Sequence, residues 1–362
     1  MKKIRIGILF GGKSAEHEVS LQSAKNIIEA IDRDKYEIVL IGIDKKGKWY
    51  LNRSSHFLLH ADDPKMISIR QSKQSLALVP GAESEKILAV SGDDSIGSMD
   101  VVFPVLHGPY GEDGTVQGVL KLSDIPFVGS GVLGSAVSMD KDVMKRLLNQ
   151  SGIPQAKFIS YRFYDKSVIT YEEIKSITGI PCFVKPANLG SSVGISKVHN
   201  RDEFKPAVEK AFEYDDKIII EEYIRGREIE CAVLGNEKPV ASVPGEVIPC
   251  HEYYSYDAKY LDEHGANFKI PAELSGQMTK TVQNLAIKCF KILNCDGMAR
   301  VDFFLGEDDK LLVNELNTIP GFTKISMYPK LWEASGVSYP ELIDRLINLA
   351  IQKHQRGNIQ AK

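Results

Sequence analysis

Apolar residues in the first third of the chain alternate between strand-like runs and a helix-like stripe. Residues 4–10 form an apolar run that stops at a glycine pair, and residues 36–43 form a second run. Between them, apolar side chains recur at the spacing of one helix face, at Ala24, Ile27, Ile28 and Ile31. With a further strand at 99–106 and a helix at 116–122, this order predicts a doubly wound α/β domain with parallel strands over residues 1–128. In such domains, ligands bind beyond the carboxyl ends of the strands.

The rest of the chain has a less regular pattern of helices and short strands. Helices are predicted near 141–151, 278–293 and 340–352, and strands at 180–186, 217–224 and 226–234. A polar, tyrosine-rich stretch at 247–268 predicts a long loop, and loops of that length are usually functional lids or disordered. Residues 352–362 are predicted to form a polar tail.

Two strand-like segments between residues 298 and 317 flank a short polar loop and predict a β-hairpin. A register centred on the loop places Asp302 opposite Glu315 and Arg300 opposite Asn317, on one face of the sheet. Two carboxylates and an amide oxygen are ligands that suit a hard divalent ion, and Mg²⁺ held with a phosphate fits best. A solvated sheet face with cross-strand charge pairs explains the hairpin equally well when it is considered alone.

Composition narrows the class of protein more than it identifies the function. The 362 residues are 43% hydrophobic and 26% charged, which is typical of a globular enzyme of two or three domains. A net charge of -3 gives no reason to expect nucleic acid or an anionic membrane as a partner. The five cysteines include no CxxC pair, which argues against a disulfide framework and a cysteine zinc site. Without an export signal or an apolar run of membrane-spanning length, we expect a cytoplasmic protein.

A glycine- and serine-rich loop at residues 190–194 follows an apolar strand and suits phosphate binding. Its glycines allow close backbone approach, and its N–H and hydroxyl groups can donate to anionic oxygens. In isolation, a flexible hairpin loop is the more common explanation of such a sequence. Lys185, within the preceding apolar strand, must reach solvent or an anion, which favours the phosphate site. Lys141 at the start of a helix opposes the helix dipole, although a surface position would tolerate it.

Other candidate residues give weaker signals. The strand end at Glu221–Ile224, with Glu228 beyond it, can offer backbone groups to an adenine and a carboxylate to a ribose, although glutamate-rich strand ends are common. Glu16 and Glu18 follow the glycine pair at the predicted carboxyl edge of the first sheet. Glu18 fits a first-turn helix charge, and a glutamate on this loop can also hold a substrate ammonium. His107 is predicted at the same edge, and a lone loop histidine is more often structural than catalytic.

Residues directly after the hairpin complete the inventory. The Gly321 N–H can donate to an oxyanion beside Arg300, and Ser326 lies close by in sequence. No nucleophile elbow or catalytic triad order is present in the sequence. Phosphate loops, lysines and an oxygen-ligated cation together favour phosphoryl transfer by positioning and electrostatics.

Over residues 4–351 the chain resembles the D-alanine–D-alanine ligases of the ATP-grasp superfamily. The resemblance rests on motifs in the family's order: GGKSAEHEVS (11–20), HGPYGEDG (107–114), SMDK (138–141), VKPANLGSSVG (184–194), YDAKY (256–260), RVD (300–302) and NELNTIPG (314–321). It implies an N-terminal substrate-binding domain (1–128) and a two-part ATP-grasp domain with antiparallel sheets. The two parts are a central subdomain (129–215) and a C-terminal subdomain (216–351) that carries the lid at 247–268.

The resemblance implies ATP and two Mg²⁺ (or Mn²⁺) ions as cofactors. The metal ligands it implies are Asp302, Glu315 and Asn317. The residues it implies around ATP are Lys141, Lys185, Ser192, Val193, Glu221, Tyr223, Ile224, Glu228 and Lys259. The hinge has Glu222-Tyr223 where some members have Lys-Trp, so the adenine contacts are less closely matched than the metal ligands.

The resemblance also implies where D-alanine binds and reacts. The catalytic residues it implies are Glu16, Ser191, Tyr260, Arg300, Gly321 and Ser326. Substrate contacts are expected from Glu16, His107, Ser326 and Met327. Glu16 would bind the ammonium of the first D-alanine, Arg300 and the Gly321 N–H the tetrahedral oxyanion, and Ser326 the second substrate's carboxylate.

The expected reaction joins two D-alanines through an acyl phosphate, with release of ADP and phosphate, for peptidoglycan synthesis. The alternative within the family is a D-Ala–D-Ser or D-Ala–D-lactate ligase of the glycopeptide-resistance type. Tyr260 argues against the D-lactate type, because the ligases that make D-Ala–D-lactate depart from this lid tyrosine. Met327 argues against both types, because the resistance ligases carry arginine at this position. A non-catalytic nucleotide sensor is a third hypothesis, against which the intact set around Arg300 and Glu315 argues. A homodimer is also expected.

Overall fold

The computed structural model describes residues 2–52, 57–63, 66–70, 72, 74–82, 86–90, 96–249 and 266–360. Within these residues, the strands form three larger sheets and two short two-stranded sheets. One larger sheet contains the parallel pairs, and the other two are antiparallel. This is the mixed α/β architecture that the sequence predicts.

The N-terminal sheet contains the predicted strand–helix–strand unit. The first eight strands are β1 (Ile4–Gly11), β2 (Tyr36–Ile43), β3 (Trp49–Asn52), β4 (Leu58–Leu59), β5 (Ser68–Ile69), β6 (Leu76–Leu78), β7 (Ile87–Ala89) and β8 (Val101–Val105). The sheet order is β3-β2-β1-β8, in which β1 pairs in parallel with β2 and β8, and β3 is antiparallel. Helix α1 (His17–Ala30) connects β1 to β2, while β4–β5 and β6–β7 form separate hairpins.

The carboxyl ends of β1 and β8 lie side by side, so the loops after Gly11 and before Gly108 meet at one edge of the sheet. The Ser20 hydroxyl joins them, since it accepts from the Gly11 N–H (2.7 Å) and donates to the Val105 carbonyl. Helix α1 begins at His17, so Ser20 lies near the start of this helix and not at its N-cap. Ser20 is used for connecting two loops because its hydroxyl faces the sheet.

Three helices lead from this sheet into the second part of the chain: α2 (Thr115–Leu122), α3 (Val132–Met139) and α4 (Lys141–Gln150). The Asp140 carboxylate caps α4 by accepting from the Val143 N–H at 3.0 Å. Asp140 also pairs with the buried ammonium of Lys217. The negative charge of Asp140 at the start of the helix compensates for the positive charge of Lys141 in its first turn.

The central sheet is antiparallel and has the strands β9 (Phe158–Arg162), β10 (Cys182–Pro186), β11 (Ser196–Val198) and β12 (Lys217–Glu222), in the order β11-β10-β12-β9. A short 3₁₀ helix (Phe163–Val168), α5 (Tyr171–Thr178) and α6 (Arg201–Phe212) accompany them. Val184 and Ile220 pack against α5 and α6 in one core cluster. Strand alternation therefore puts Lys185 and Glu221 on the opposite face.

The third sheet has the strands β13 (Gly226–Gly235), β14 (Val240–Ala241), β15 (Gly245–Pro249), β16 (Ala266–Lys269), β17 (Gly297–Gly306) and β18 (Leu311–Asn317). Its main order is β16-β15-β13-β17-β18, and β14 pairs with β13. Helix α7 (Gly276–Ile292) packs on one face through Val282, Ala286 and Phe290.

Two differences from the predicted elements concern this region. The predicted loop at 247–268 is shorter at both ends, because β15 and β16 pair from Val247 opposite Phe268 to Pro249 opposite Ala266. Strands of five and four residues leave too short a periodic signal to detect. Residues 250–265, which contain the predicted Lys259 and Tyr260, lie outside the described part of the chain.

The last two helices are α8 (Met327–Ala334) and α9 (Tyr339–Gln360), and they join the third sheet to the first. One core cluster contains Ile8 of β1, Met298 of β17 and Leu346 of α9. Helix α9 includes most of the predicted 352–362 tail, because polar residues such as glutamine and lysine form helices readily when they face solvent. None of the described helices has the length and apolar content that crossing a bilayer requires.

Candidate active site

The hairpin of β17 and β18 has the predicted register, since Asp302 pairs with Glu315 and Arg300 with Asn317. The register shifts directly after Asp302, where Phe303 pairs with Val313, so Asn314 is an extra residue on β18. This bulge lets Val313 and Leu316 face the same apolar core while Glu315 turns toward the polar face. The sequence predicts the pairs but gives no sign of the bulge.

Arg300 is held by carboxylates on its own strand and on the neighbouring strand. Its Nε and Nη2 atoms each donate to an Asp302 oxygen at 2.7 Å. Its Nε also lies 3.0 Å from a carboxylate oxygen of Glu230 on β13. The Asn317 amide donates to Asp302 at 3.1 Å. The sequence does not indicate Glu230, because its partner is distant along the chain.

The three predicted metal ligands, Asp302, Glu315 and Asn317, lie on one face of the hairpin. Among the described residues, no three acidic, histidine or cysteine side chains are grouped as a metal site. Two carboxylates and an amide nevertheless fit Mg²⁺, which commonly uses one or two carboxylates and completes its shell with water and substrate phosphates. Lys141 lies 3.4 Å from Glu315, on the side where those phosphates would be expected.

A buried ionic cluster is formed by Lys185, Glu221 and Lys145. It lies beneath one of two pockets in this region, called the second pocket below. The two Glu221 oxygens lie 2.6 Å from Lys185 and 3.0 Å from Lys145. Burial acts to raise the pKa of Glu221, but the two ammonium groups outweigh it and lower the pKa to about 2. Burial lowers the pKa of Lys145, whereas Glu221 outweighs burial at Lys185 and raises its pKa. Lys145 lies one turn after Lys141 on α4, a spacing that could have revealed it.

The second pocket lies between the central and third sheets and contains most of the residues expected to surround a nucleotide. The predicted residues that line it are Lys141, Lys185, Ser192, Glu221, Tyr223, Ile224 and Glu228. Val193 belongs to the same loop but does not line the pocket, and its N–H donates to the Gly190 carbonyl at 3.2 Å. Ser191 and Ser192 have positive φ values of 52° and 60°, as in a tight loop that turns its N–H groups to one side.

The first pocket, beside Arg300, contains the residues expected to bind the amino acid. The predicted residues that line it are Glu16, His107, Ser191, Arg300, Glu315, Asn317, Gly321, Ser326 and Met327. The Ser191 hydroxyl donates to the buried Glu16 carboxylate and so connects the central loop to the N-terminal domain. At Gly321, a Cβ atom would lie only 2.7 Å from the Ser326 hydroxyl oxygen, so glycine leaves the space in which that hydroxyl sits.

His107 forms part of the wall of this pocket, with both ring nitrogens facing protein groups. Its Nδ1 lies 2.9 Å from the Ile319 carbonyl and its Nε2 lies 3.2 Å from the Ser23 hydroxyl. The contact with the carbonyl requires a proton on Nδ1. Burial lowers the pKa of His107, which favours the neutral form of the ring. Its predicted substrate contact would therefore use the edge of a ring that is already fixed.

Glu112 is a pocket residue to which the sequence assigns no role, although it lies within the HGPYGEDG motif. Its two carboxylate oxygens accept from the Gly108 N–H at 2.8 Å and from the Ile319 N–H at 3.0 Å. Burial, together with the charge of Glu16, raises the pKa of Glu112 to about 8. Through its two hydrogen bonds, the Glu112 carboxyl group joins the N-terminal loop to the segment that follows β18.

Comparison with known proteins gives the family. The model of the D-ala D-ala ligase N-terminus matches residues 5–130, and that of the D-ala D-ala ligase C-terminus matches residues 147–348. The chain belongs to the D-alanine–D-alanine ligase family. It therefore has the ATP-grasp fold of a family of ATP-dependent ligases that act on small molecules.

Relatives match over nearly the whole chain. The D-alanine–D-alanine ligase of Oceanobacillus iheyensis is 56% identical over 98% of this chain and 97% of its own length. D-alanine–D-alanine ligase A of Escherichia coli K12 is 51% identical over 99% of this chain and 98% of its own length.

Solved structures agree with this family. The D-alanine–D-alanine ligase from Coxiella burnetii has a TM-score of 0.85 and 41% identity, over 100% of this chain and 97% of that chain. The VanG D-Ala:D-Ser ligase from Enterococcus faecalis has a TM-score of 0.82 and 34% identity, over 96% of this chain and 100% of that chain.

Proposed function

We propose that this protein joins two D-alanines to D-alanyl-D-alanine, with conversion of ATP to ADP and phosphate. The single observation that carries the proposal is that the two pockets share Gly190, Ser191 and Glu315. The terminal phosphate of a nucleoside triphosphate in one pocket would therefore lie next to a small substrate in the other. The similarity to ligases of that name at 51–56% identity supports the same reaction.

The nucleotide would bind over the cluster of Lys185 and Glu221, with its adenine at the Glu221–Ile224 strand end and its ribose near Glu228. Lys141 and Lys185 would hold the phosphates, with the loop at 190–194 closing over them. Asp302, Glu315 and Asn317 would hold two Mg²⁺ or Mn²⁺ ions, which neutralise charge on the phosphates during transfer. The positions of Lys141 and Glu315, 3.4 Å apart, support this arrangement of charges.

The first D-alanine would place its ammonium at Glu16 and its carboxylate toward the shared wall of the pockets, where it accepts the phosphoryl group. The deprotonated amine of the second D-alanine, whose carboxylate is at Ser326, then attacks the carbonyl carbon of this acyl phosphate. The new C–N bond replaces the C–O bond to phosphate, which leaves as inorganic phosphate. Arg300 and the Gly321 N–H would stabilise the tetrahedral oxyanion. Ser191 keeps Glu16 oriented, and Lys259 and Tyr260 of the proposed lid would exclude water.

We further propose a division of the chain into residues 1–128, 129–215 and 216–351. The three larger sheets support three units, although β12 (Lys217–Glu222), which lies on the C-terminal side of the second boundary, pairs with β9 and β10 of the central sheet. Cytoplasmic location, a homodimeric state and supply of the dipeptide to peptidoglycan synthesis belong to the same proposal.

The test is ADP release by the purified protein with ATP, Mg²⁺ and D-alanine, with the dipeptide identified by mass spectrometry. We expect D-alanine to stimulate ADP release, and D-serine or D-lactate added as second substrate to give little mixed product. Absence of ADP release that depends on D-alanine would refute the function. Predominance of a mixed product would identify the alternative ligase type.

A further inference from the structure

Glu230 is a buried carboxylate in the amino-acid pocket, and the proposed function does not use it. It is 8% exposed and lies on β13 directly opposite Asp302 of β17. Its side chain lines the same pocket as Arg300 and Ser326. A carboxylate in such a place is stable only with a positively charged partner.

That partner is Arg300, which pairs with Asp302 as well. The guanidinium makes two hydrogen bonds of 2.7 Å to Asp302 and a 3.0 Å contact with Glu230. The Asp302 oxygens that Arg300 occupies are those that a divalent cation would need. Cation binding must therefore weaken the Arg300–Asp302 pair, and an unpaired buried guanidinium would be costly.

We propose that Glu230 is a positioning residue that retains Arg300 when a divalent cation binds Asp302. The inference rests on the proposed function for the presence of that cation. Glu230 already touches the guanidinium, so Arg300 can transfer its pairing without leaving the pocket. It also supplies negative charge: Glu230, Asp302 and Glu315 face Arg300 and Lys141, which leaves one net negative charge to attract the cation.

The test uses Glu230→Gln, which keeps the shape of the side chain and removes its charge. Mn²⁺ binding is measured by electron paramagnetic resonance in the presence of a non-hydrolysable ATP analogue. The Mg²⁺ concentration that half-saturates ADP release is measured as well. We expect both constants to weaken by about tenfold or more, because a full charge close to the cation is lost. Glu37→Gln is the matched control, since it removes a carboxylate that pairs with Arg5 at 2.9 Å, outside both pockets.

A Glu230→Gln protein with unchanged melting temperature and wild-type affinity for Mn²⁺ would overturn the inference. Glu230→Asp keeps the charge and provides a second comparison if the glutamine variant does not fold. We expect it to bind Mn²⁺ nearly as well as the wild type. Equal weakening in both variants would mean that packing matters rather than charge, and would also overturn the inference. Failure of the wild type to release ADP would refute the proposed function, while the Mn²⁺ comparison would still judge Glu230.

Discussion

Individual side chains in the two pockets share their charged partners. Arg300 is divided between Asp302 and Glu230, and Glu221 between Lys145 and Lys185. A group that has two partners can give up one to a ligand without becoming an isolated buried charge. Ligand binding can therefore rearrange the pairs at low cost.

A substitution of Glu315 tests its assignment as a metal ligand. We expect Glu315→Gln to reduce turnover by about a hundredfold or more while the protein stays folded, because a charge aimed at the reacting phosphates is lost. Steady-state ADP release and circular dichroism measure the two effects. Glu307→Gln is the control on the same hairpin, where the side chain is 67% exposed. Near-normal turnover of the Glu315 variant would contradict the assignment.

A substitution of Gly321 tests the proposed binding site of the second D-alanine. In Gly321→Ala the new methyl group would lie 2.7 Å from the Ser326 hydroxyl oxygen and displace it. We expect the KM for D-alanine at the second site to rise by about tenfold or more, with little change in the KM for ATP, because carboxylate positioning is lost. Gly276→Ala, where a Cβ atom meets open space, serves as the comparison. A rise in the KM for ATP alone would mean that Gly321 acts elsewhere.

Among the elements, the hairpin could be predicted and the bulge could not. Polar residues at alternate positions determine which residues of β17 and β18 share a face, so the pairing of Asp302 with Glu315 follows from the sequence. The extra residue, Asn314, adds no periodic signal, because it is seen only when both strands are compared in space. Glu230 escapes prediction for a related reason, since it depends on a partner, Arg300, that lies more than sixty residues away.

Helix α4 brings Lys141 and Lys145 to adjacent turns, and Lys145 tests what this arrangement contributes to stability. We expect Lys145→Met to lower the free energy of unfolding at neutral pH by about 2 kcal/mol, less than for a fully broken buried pair, because Lys185 still compensates Glu221. Lys280→Met on the exposed side of α7 is the control. Urea unfolding of both variants gives the difference.

The pH dependence of that difference is a further check. The pKa of Glu221 is lowered from 4.5 to about 2, so its stabilising effect is complete above pH 4.5 and is lost as the pH falls toward 2. The stability lost in Lys145→Met should therefore shrink as the pH is lowered through this range. A difference that stays constant down to pH 3 would show that the ion pair is not its source.

In the whole molecule, the N-terminal sheet shares its core with the C-terminal helices. Ile6 and Ile8 of β1 belong to the same buried cluster as Tyr328 and Trp332 of α8 and Leu346 of α9. The Tyr36 hydroxyl also donates to Asp344 of α9 at 2.7 Å. The amino-acid pocket lies between these parts, so its geometry depends on their remaining packed together.

The two tryptophans of the chain test this coupling, because Trp49 packs in the N-terminal sheet and Trp332 in α8. In Trp49→Phe and Trp332→Phe, the remaining tryptophan reports one part alone. We expect both fluorescence transitions in urea to have the same midpoint as the far-ultraviolet circular dichroism. We expect an added Leu346→Ala substitution to lower both midpoints together, because a fully buried side chain is lost from the shared core. The corresponding loss in the free energy of unfolding is about 2–5 kcal/mol. If only the Trp332 transition moved, the first sheet would be an independent folding unit, and the pocket would have to be assembled by docking of two folded domains.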